Sequence, residues 1–414
     1  MYSSNNDSKI LIYYQSFLAI AAVLVFFTRI TVYLEQELGI GIPLYWIFVF
    51  CVGSIPLLFT HNRLKHIPVP IIIWIGAYLG LSLLSILISP LNFQLQLLED
   101  QIRSIIFLLL MLLIFSQHPS VIKHTKFAVL FVTIVNVFMF VYEFFNPLAY
   151  YLSQHSPGRA SGFYINSNAA SVALIVGMIL TIDLFKPKYR LLYSLFVLLG
   201  IATTFSRGST IGWMIVVSFF LFTNVVSKTQ LPLLLLFAFT SLTILSTQIS
   251  NLTYLKTADG NFLFQEDTIA RVEFLIDPLG QEDSSSQSRI GYVEESWRKF
   301  ARRPFTGNGL GSGASDRQVS AQGTAQRSHN IYLDLMVEYG FLGFFTYPLL
   351  LVATVWKAQG ETRKITVPFI VFSLFIGIFN HTALSAFASL TSYAIMANIT
   401  EQSRDRNLPL SSKS

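Results

Sequence analysis

The sequence has little of what soluble enzymes use to build a catalytic centre. It holds one cysteine in 414 residues. No intramolecular disulfide and no cysteine-based metal site can therefore form, and Cys51 itself sits inside an apolar run. Charged residues make up 12% of the chain, about half the roughly 25% of a soluble domain. The connections assigned outside below carry no Asp-x-Asp pair, and no histidines cluster at ligand spacing, so no metal or cofactor is expected. There is no internal repeat and no low-complexity tract. The first apolar run lacks a small-residue cleavage site and reads as a span rather than a signal peptide.

What is abundant is apolar. Residues of that kind are 53% of the chain, and the mean hydropathy is +0.57. The net charge of +6 does not mark a nucleic-acid binder, because Lys and Arg fall in short loops between apolar runs. The expected class is an all-α polytopic membrane protein. A span needs roughly 20 mainly apolar residues, fewer where flanking residues snorkel. Twelve candidates meet that pattern: Ile10–Phe27, Ile42–Phe59, Val69–Ile88, Ile102–Ser116, Phe127–Phe145, Ala169–Phe185, Leu191–Phe205, Thr210–Val226, Leu231–Ile249, Phe341–Trp356, Ile365–Phe379 and Leu384–Ile399. Trp74, Trp213 and Trp356 fit ordinary membrane packing.

Loop charge orients the spans. With the N-terminus in the cytoplasm, every short inner connection carries Lys or Arg, from Lys9 and Arg63 to Arg363 and Lys364. The short outer connections hold only Arg29, Arg103, Arg159 and Arg207. This is the positive-inside pattern, and it puts both termini in the cytoplasm. The chain then divides into spans one to nine (1–250), a large outer loop (251–328), an interfacial helix with spans ten to twelve (329–400), and a cytoplasmic tail (401–414).

Within the large loop, Ile290, Val293, Trp297, Phe300 and Ala301 recur at helical spacing over Arg289–Arg303, and Pro304 ends that helix. Gly307-x-Gly309-x-Gly311-x-Gly313 follows. It lacks the strand and helix that flank a phosphate loop, so it reads as a flexible hinge near the site.

The strongest chemical signal is Arg327-Ser328-His329-Asn330, then nine residues to Gly340-x-x-Gly343. Ile331, Tyr332, Leu335, Met336 and Tyr339 predict a short interfacial helix over 331–339, with Asp334 and Glu338 on the side away from His329. An imidazole at that boundary suits a general base, because its unperturbed pKa lies near neutrality. The bland alternative is a histidine that only caps the helix. His155 and His381 are lesser candidates on the same side.

Three arginines join His329 there. Arg159 lies in Pro157-Gly158-Arg159-Ala160-Ser161-Gly162, ahead of Asn166-Ser167-Asn168. Arg207 lies in the tight turn Ser206-Arg207-Gly208, and Arg289 opens the amphipathic loop helix. Each could simply snorkel, and that reading is accepted for Arg29 and Arg103. As a set, guanidinium forks match phosphate oxygens bidentately and stay charged. They could hold a lipid pyrophosphate and stabilise the charge that builds on it as it leaves.

These residues resemble the O-antigen ligase and polymerase superfamily of bacterial inner-membrane glycosyltransferases. The likeness rests on His329-Asn330 with Gly340-x-x-Gly343, on Ser206-Arg207-Gly208, and on Arg159 ahead of Asn168. It rests also on Ser288-Arg289 with Trp297 and Pro304…Gly307-x-Gly309, in the family's order, over roughly residues 155–345. The resemblance implies a GT-C-like fold of about 12 transmembrane helices with one large periplasmic loop. It implies a glycan donor carried on undecaprenyl pyrophosphate and a metal-independent, inverting transfer to an acceptor hydroxyl. By position, Arg207 and Arg289 would act on the pyrophosphate, with Arg159, Asn168 and Asn330 also binding substrate. His329 would activate the acceptor.

Only one loop is long, which resembles ligases acting on lipid A–core more than polymerases, often built with two sizeable loops. A twelve-span secondary transporter is the rival of another class. It is disfavoured because the ionisable residues within spans, Glu143 and Asp183, fall near span ends rather than at the midplane.

Overall fold

In the computed structural model, residues 4–59, 67–88, 94–115, 118–146, 149–150, 159–230, 232, 284–319 and 325–407 are described. Their side chains are described too, except at 4–8, 284–289, 314–319, 325–327 and 404–407. Helices come first: α1 (Ser4–Ala22), which runs into a π-helical turn (Val23–Phe27), then α2 (Ile30–Leu38), α3 (Pro43–Leu58), α4 (Val69–Ile88), α5 (Gln94–Ile114) and α6 (Pro119–Phe145). Next are α7 (Ser167–Thr181), α8 (Pro187–Thr203), α9 (Arg207–Phe222) and α10 (Ser284–Arg302). A hairpin of β1 (Ala314–Val319) and β2 (Ala325–Arg327) leads into α11 (Ile331–Tyr339), α12 (Phe341–Thr354), α13 (Arg363–Gly377) and α14 (Phe387–Asn407). That hairpin is the departure from an all-α chain among the described residues.

The helix starts follow local chemistry. Pro43, Pro119 and Pro187 open α3, α6 and α8, where the missing N–H costs nothing. Asn166 and Asn330 cap α7 and α11 by accepting from the next helical amides, each such cap being worth about 1 kcal/mol.

A helix stands at every expected span except Leu231–Ile249, which lies outside the described residues. Four helical segments are long and apolar enough to cross a membrane by length and composition: Lys9–Phe27, Val69–Ile88, Pro119–Phe145 and Ser167–Leu184. Pro43–Leu58, Arg207–Phe222 and Phe341–Thr354 are shorter apolar helices. The second and fourth of these differ in place. Only 22% of the Val69–Ile88 window is buried, against 72% of the Ser167–Leu184 window, so α4 is peripheral and α7 is the central post. Phe48 and Val49 on α3, Ile73 and Leu84 on α4, and Phe131 and Phe138 on α6 face outward. An apolar rim of that extent suits hydrocarbon rather than water.

Phe26, Phe50, Phe107 and Phe387 join the first, third, fifth and last helices in one aromatic cluster, with ring centroids 4.6–6.0 Å apart. Small residues let other pairs close in. A side chain at Gly177 would strike Thr133 on α6, and one at Gly212 would strike Phe372 on α13. At one end of the bundle Lys126 pairs with Asp183 at 2.6 Å, and Arg190 donates to the Val225 carbonyl. The opposite end gathers the sequence motifs.

Two expectations need correction there. α5 begins at Gln94, so Arg103 lies inside a helix, paired with Glu99 and Asp100 on its exposed face. The glycine run after Pro304 is no hinge. It is clasped to α11: Asn308 N–H donates to the Val337 carbonyl (2.8 Å) and Phe341 N–H to the Pro304 carbonyl (2.7 Å), while Gly311 N–H donates to Glu338 (3.1 Å).

Gly340 is the pivot of that clasp. Its φ of 70° with ψ of −158° is backbone space essentially reserved for glycine, and a Cβ there would lie 2.5 Å from the Phe305 oxygen. Strain and overlap together should make Gly340→Ala cost about 3 kcal/mol or more. Thermal unfolding in detergent should show its midpoint several degrees below the wild type, and an unchanged midpoint would contradict the clasp.

Candidate functional site

The motif-bearing end of the bundle is built from kinks. Arg29, Ile165, Phe205 and His329 all have left-handed backbones, with φ of 57°, 63°, 48° and 58°. For a residue with a Cβ this costs roughly 1–2 kcal/mol, and such outliers cluster where function constrains the chain. Each lies directly before or within a helix start: Arg29 at α2, Ile165 before the Asn166 cap of α7, Phe205 before Ser206 of α9, His329 before the Asn330 cap of α11.

A hydrogen-bond network bolts these starts together. Arg159 Nε donates to the Thr204 carbonyl (2.9 Å) and its Nη2 to Asn168 Oδ1 (3.0 Å). Ser206 Oγ donates to the same Asn168 oxygen (3.0 Å), and Ser171 and Ser209 share a buried hydroxyl contact at 2.7 Å. The starts of α7 and α9 are thus locked side by side, with Arg207 as the first helical residue of α9. Their N-termini add partial positive charge at the same end. On the far side of Arg159, the Glu143 carboxylate accepts from Ser161 N–H (2.9 Å) and Gly162 N–H (2.7 Å). Two residues on, Tyr164 donates to the Phe27 carbonyl (2.8 Å), which pins the turn carrying Arg29.

The histidine comes to the same neighbourhood by another route. His329 is exposed, and its ring meets the His381 ring edge-on with centroids 4.9 Å apart. His381 lies in the connection from α13 to α14, just past Phe379. Phe379 in turn is the nearest contact of Gly208, at 3.7 Å from an added Cβ. His329, His381 and the Arg207 turn are therefore successive neighbours around one connection. Burial pushes the pKa of the Tyr332 hydroxyl up to about 12 while it donates to the Leu374 carbonyl.

Asp334 and Glu338 are buried. Asp334 accepts from Ser328 (2.5 Å), and Glu338 holds Gly311. Asn330 spends its side-chain oxygen on the α11 amides of Tyr332 and Leu333, which leaves its NH2 as the available donor. Asn168 likewise spends its oxygen on Arg159 and Ser206. Arg289 lies in the second turn of α10, with its side chain outside the described ones, and His155 lies outside the described residues altogether. On α10, Ile290, Val293 and Trp297 point outward, while Ser296 is buried; the apolar stripe read from the sequence is free of the bundle. Among the described residues no group of three His, Cys, Asp or Glu side chains comes together.

One residue was misjudged from sequence. Arg29 lines a small cleft of about 50 Å³, room for a single phosphate-sized group, with Phe27, Ala169, Phe372, Tyr393, Asn380 and Thr382 among its walls. The cleft lies between the α7 start, which carries Asn168, and the segment that carries His381. A run of apolar residues ended by a single arginine gave no signal of this. The left-handed turn that aims it inward depends on Tyr164, which is far away in sequence.

Apolar helices facing outward around a polar, cation-bearing end define a multi-pass membrane protein with a site at one end of its bundle. Residues 192–347 match a family model described as O-antigen ligase. That segment, over a third of the chain, is similar to the O-antigen ligase domain that the motifs resemble, and the match supports a glycosyltransferase-like membrane enzyme. The matched segment contains Arg207, Arg289, His329, Gly340 and Gly343, while Arg29 and Arg159 lie before it. A search of curated proteins gave no match.

Proposed function

We propose that this protein is an O-antigen ligase-type transferase, moving a glycan from undecaprenyl pyrophosphate to a hydroxyl of lipid A–core. The setting is a bundle of about twelve spans with both termini in the cytoplasm, and the reaction takes place at the periplasmic face under the large loop 251–328. The observation that carries this reading is the convergence of Arg207, locked beside Arg159, with His329 and His381 around one connection. The family match over the same segment supports it.

The chemistry follows from the groups. Arg207 and Arg289 hold the pyrophosphate and stabilise the charge it gains on leaving. Arg159, with two of its donors committed to protein acceptors, positions the Asn168–Ser206 junction on which Arg207 stands. The acceptor oxygen attacks the anomeric carbon opposite the leaving phosphate and loses its proton to His329. One carbon–oxygen bond forms as the glycan–phosphate bond breaks, and the anomeric centre inverts. The NH2 groups of Asn168 and Asn330 remain to bind substrate.

A deletion strain tests this through the gel profile of its surface polysaccharide. Loss of core-attached chains with accumulation of lipid-linked polymer is the expected result. Single capped repeat units would instead identify a polymerase using the same donor chemistry. An unaltered profile would overturn both.

A further inference from the structure

The cleft beside the site contains a cation that none of the family's motifs explains. Arg29 sits where the π-helical turn Val23–Phe27 ends and the chain reverses hand. Single π turns inside helices are frequent at functional sites. The turn is fixed from both sides: Tyr164 donates to the Phe27 carbonyl, Thr28 Oγ1 donates to the Leu24 carbonyl (2.6 Å), and Ile30 N–H donates to Thr28 Oγ1 (3.2 Å). Arg29 is held in place, then, rather than trailing toward the interface as a snorkelling residue does.

Its charge is not answered among the described residues. Burial lowers the pKa of Arg29 below its ordinary value, opposed only by Tyr164. Among the described residues no carboxylate or other side chain pairs with its guanidinium, in contrast to Arg103, Lys126 and Arg159. A guanidinium stays protonated even so. A half-buried guanidinium without a partner carries part of the desolvation cost of a buried charge, and a bound anion would offset it.

The rest of the cleft suits one kind of anion. Asn380 accepts from Thr382 N–H and Oγ1, both at 2.8 Å, so its own NH2 remains a donor on the wall that Arg29 shares. Deeper walls are apolar and aromatic: Phe27, Phe369, Phe372, Ile376 and Tyr393. Donors and hydrocarbon surface thus line the same cleft. His381 lies between Asn380 and Thr382 in the chain, so an anion at Arg29 is next to the imidazole pair.

We infer that Arg29 is a further substrate-binding residue, its cleft holding the phosphate head of a polyprenyl-linked substrate with Asn380 as second donor. The inference rests on the proposed function and names one of its binding residues.

The test uses the full chain in detergent, with undecaprenyl pyrophosphate and inorganic pyrophosphate as separate probes. Each probe should raise the unfolding midpoint of the wild type, the lipid at lower concentration. Arg29→Gln should weaken the lipid's binding by at least about tenfold and leave the unliganded midpoint equal to or above the wild type, because the unanswered charge is gone. Arg29→Lys keeps the charge but not the fork, and should bind between the two. Wild-type affinity for the lipid in Arg29→Gln overturns the inference. So does an effect confined to inorganic pyrophosphate, which marks a free-anion site. An unliganded Arg29→Gln many degrees less stable, fully restored in Arg29→Lys, marks a structural cation and overturns it too. The two readings fail separately. Arg29-dependent lipid binding in a wild type that transfers no glycan sinks the proposed function alone; transfer with Arg29-independent binding sinks only this inference.

Discussion

Exchanging His329 for alanine should abolish glycan transfer, by about 10²- to 10⁴-fold if it serves as the base, while the protein inserts and folds as before. The structure makes a sharper control available. His329 has φ of 58°, where alanine is strained but asparagine is tolerated. Its ring is exposed, so little packing is lost with it. His329→Asn therefore keeps the backbone and a polar side chain and removes only the basic nitrogen. Both variants should show wild-type amounts in the membrane, normal unfolding midpoints and no transferred chains in a deletion strain. Normal polysaccharide from His329→Asn would rule the residue out as base and leave the helix start as its whole role. His381 would then be the imidazole to examine, since it is the neighbour 4.9 Å away.

Replacing Arg207 by lysine should be nearly as damaging as replacing it by alanine. Losing one donor to a developing oxyanion costs about 10²- to 10³-fold in rate, and an ammonium cannot reproduce a bidentate fork. Folding should suffer little, because Arg and Lys have similar helix propensities and Ser206, Ser209 and Asn168 bond to one another at the turn. Single-turnover transfer from purified lipid-linked donor reads the loss directly. Arg207→Lys turning over at more than about a tenth of the wild-type rate would make Arg207 a general source of positive potential, not a pyrophosphate ligand.

Much of this was legible in the chain. The helix over 331–339 appears at its expected bounds because its apolar spacing and the Asn330 cap agree. Sequence erred where the answer depends on partners distant in the chain. Arg29 and Arg103 look alike as lone arginines beside apolar runs. Arg103 has Glu99 and Asp100 one turn away and is accounted for locally. Arg29 has no such neighbour, and its surroundings are assembled from Tyr164, Asn380 and Tyr393. The glycines after Pro304 read as a hinge because glycine permits motion. Here its lack of a Cβ serves the opposite end, letting two backbones touch.

The cleft draws its walls from Phe27 near the beginning of the chain and from Tyr393 near its end. A nascent chain emerging from the ribosome thus carries Arg29 into the bilayer long before the last helix arrives to close the cleft around it. A truncation that removes only α14 takes away the wall that Tyr393 supplies, and is expected to transfer as little glycan as one that removes half the protein.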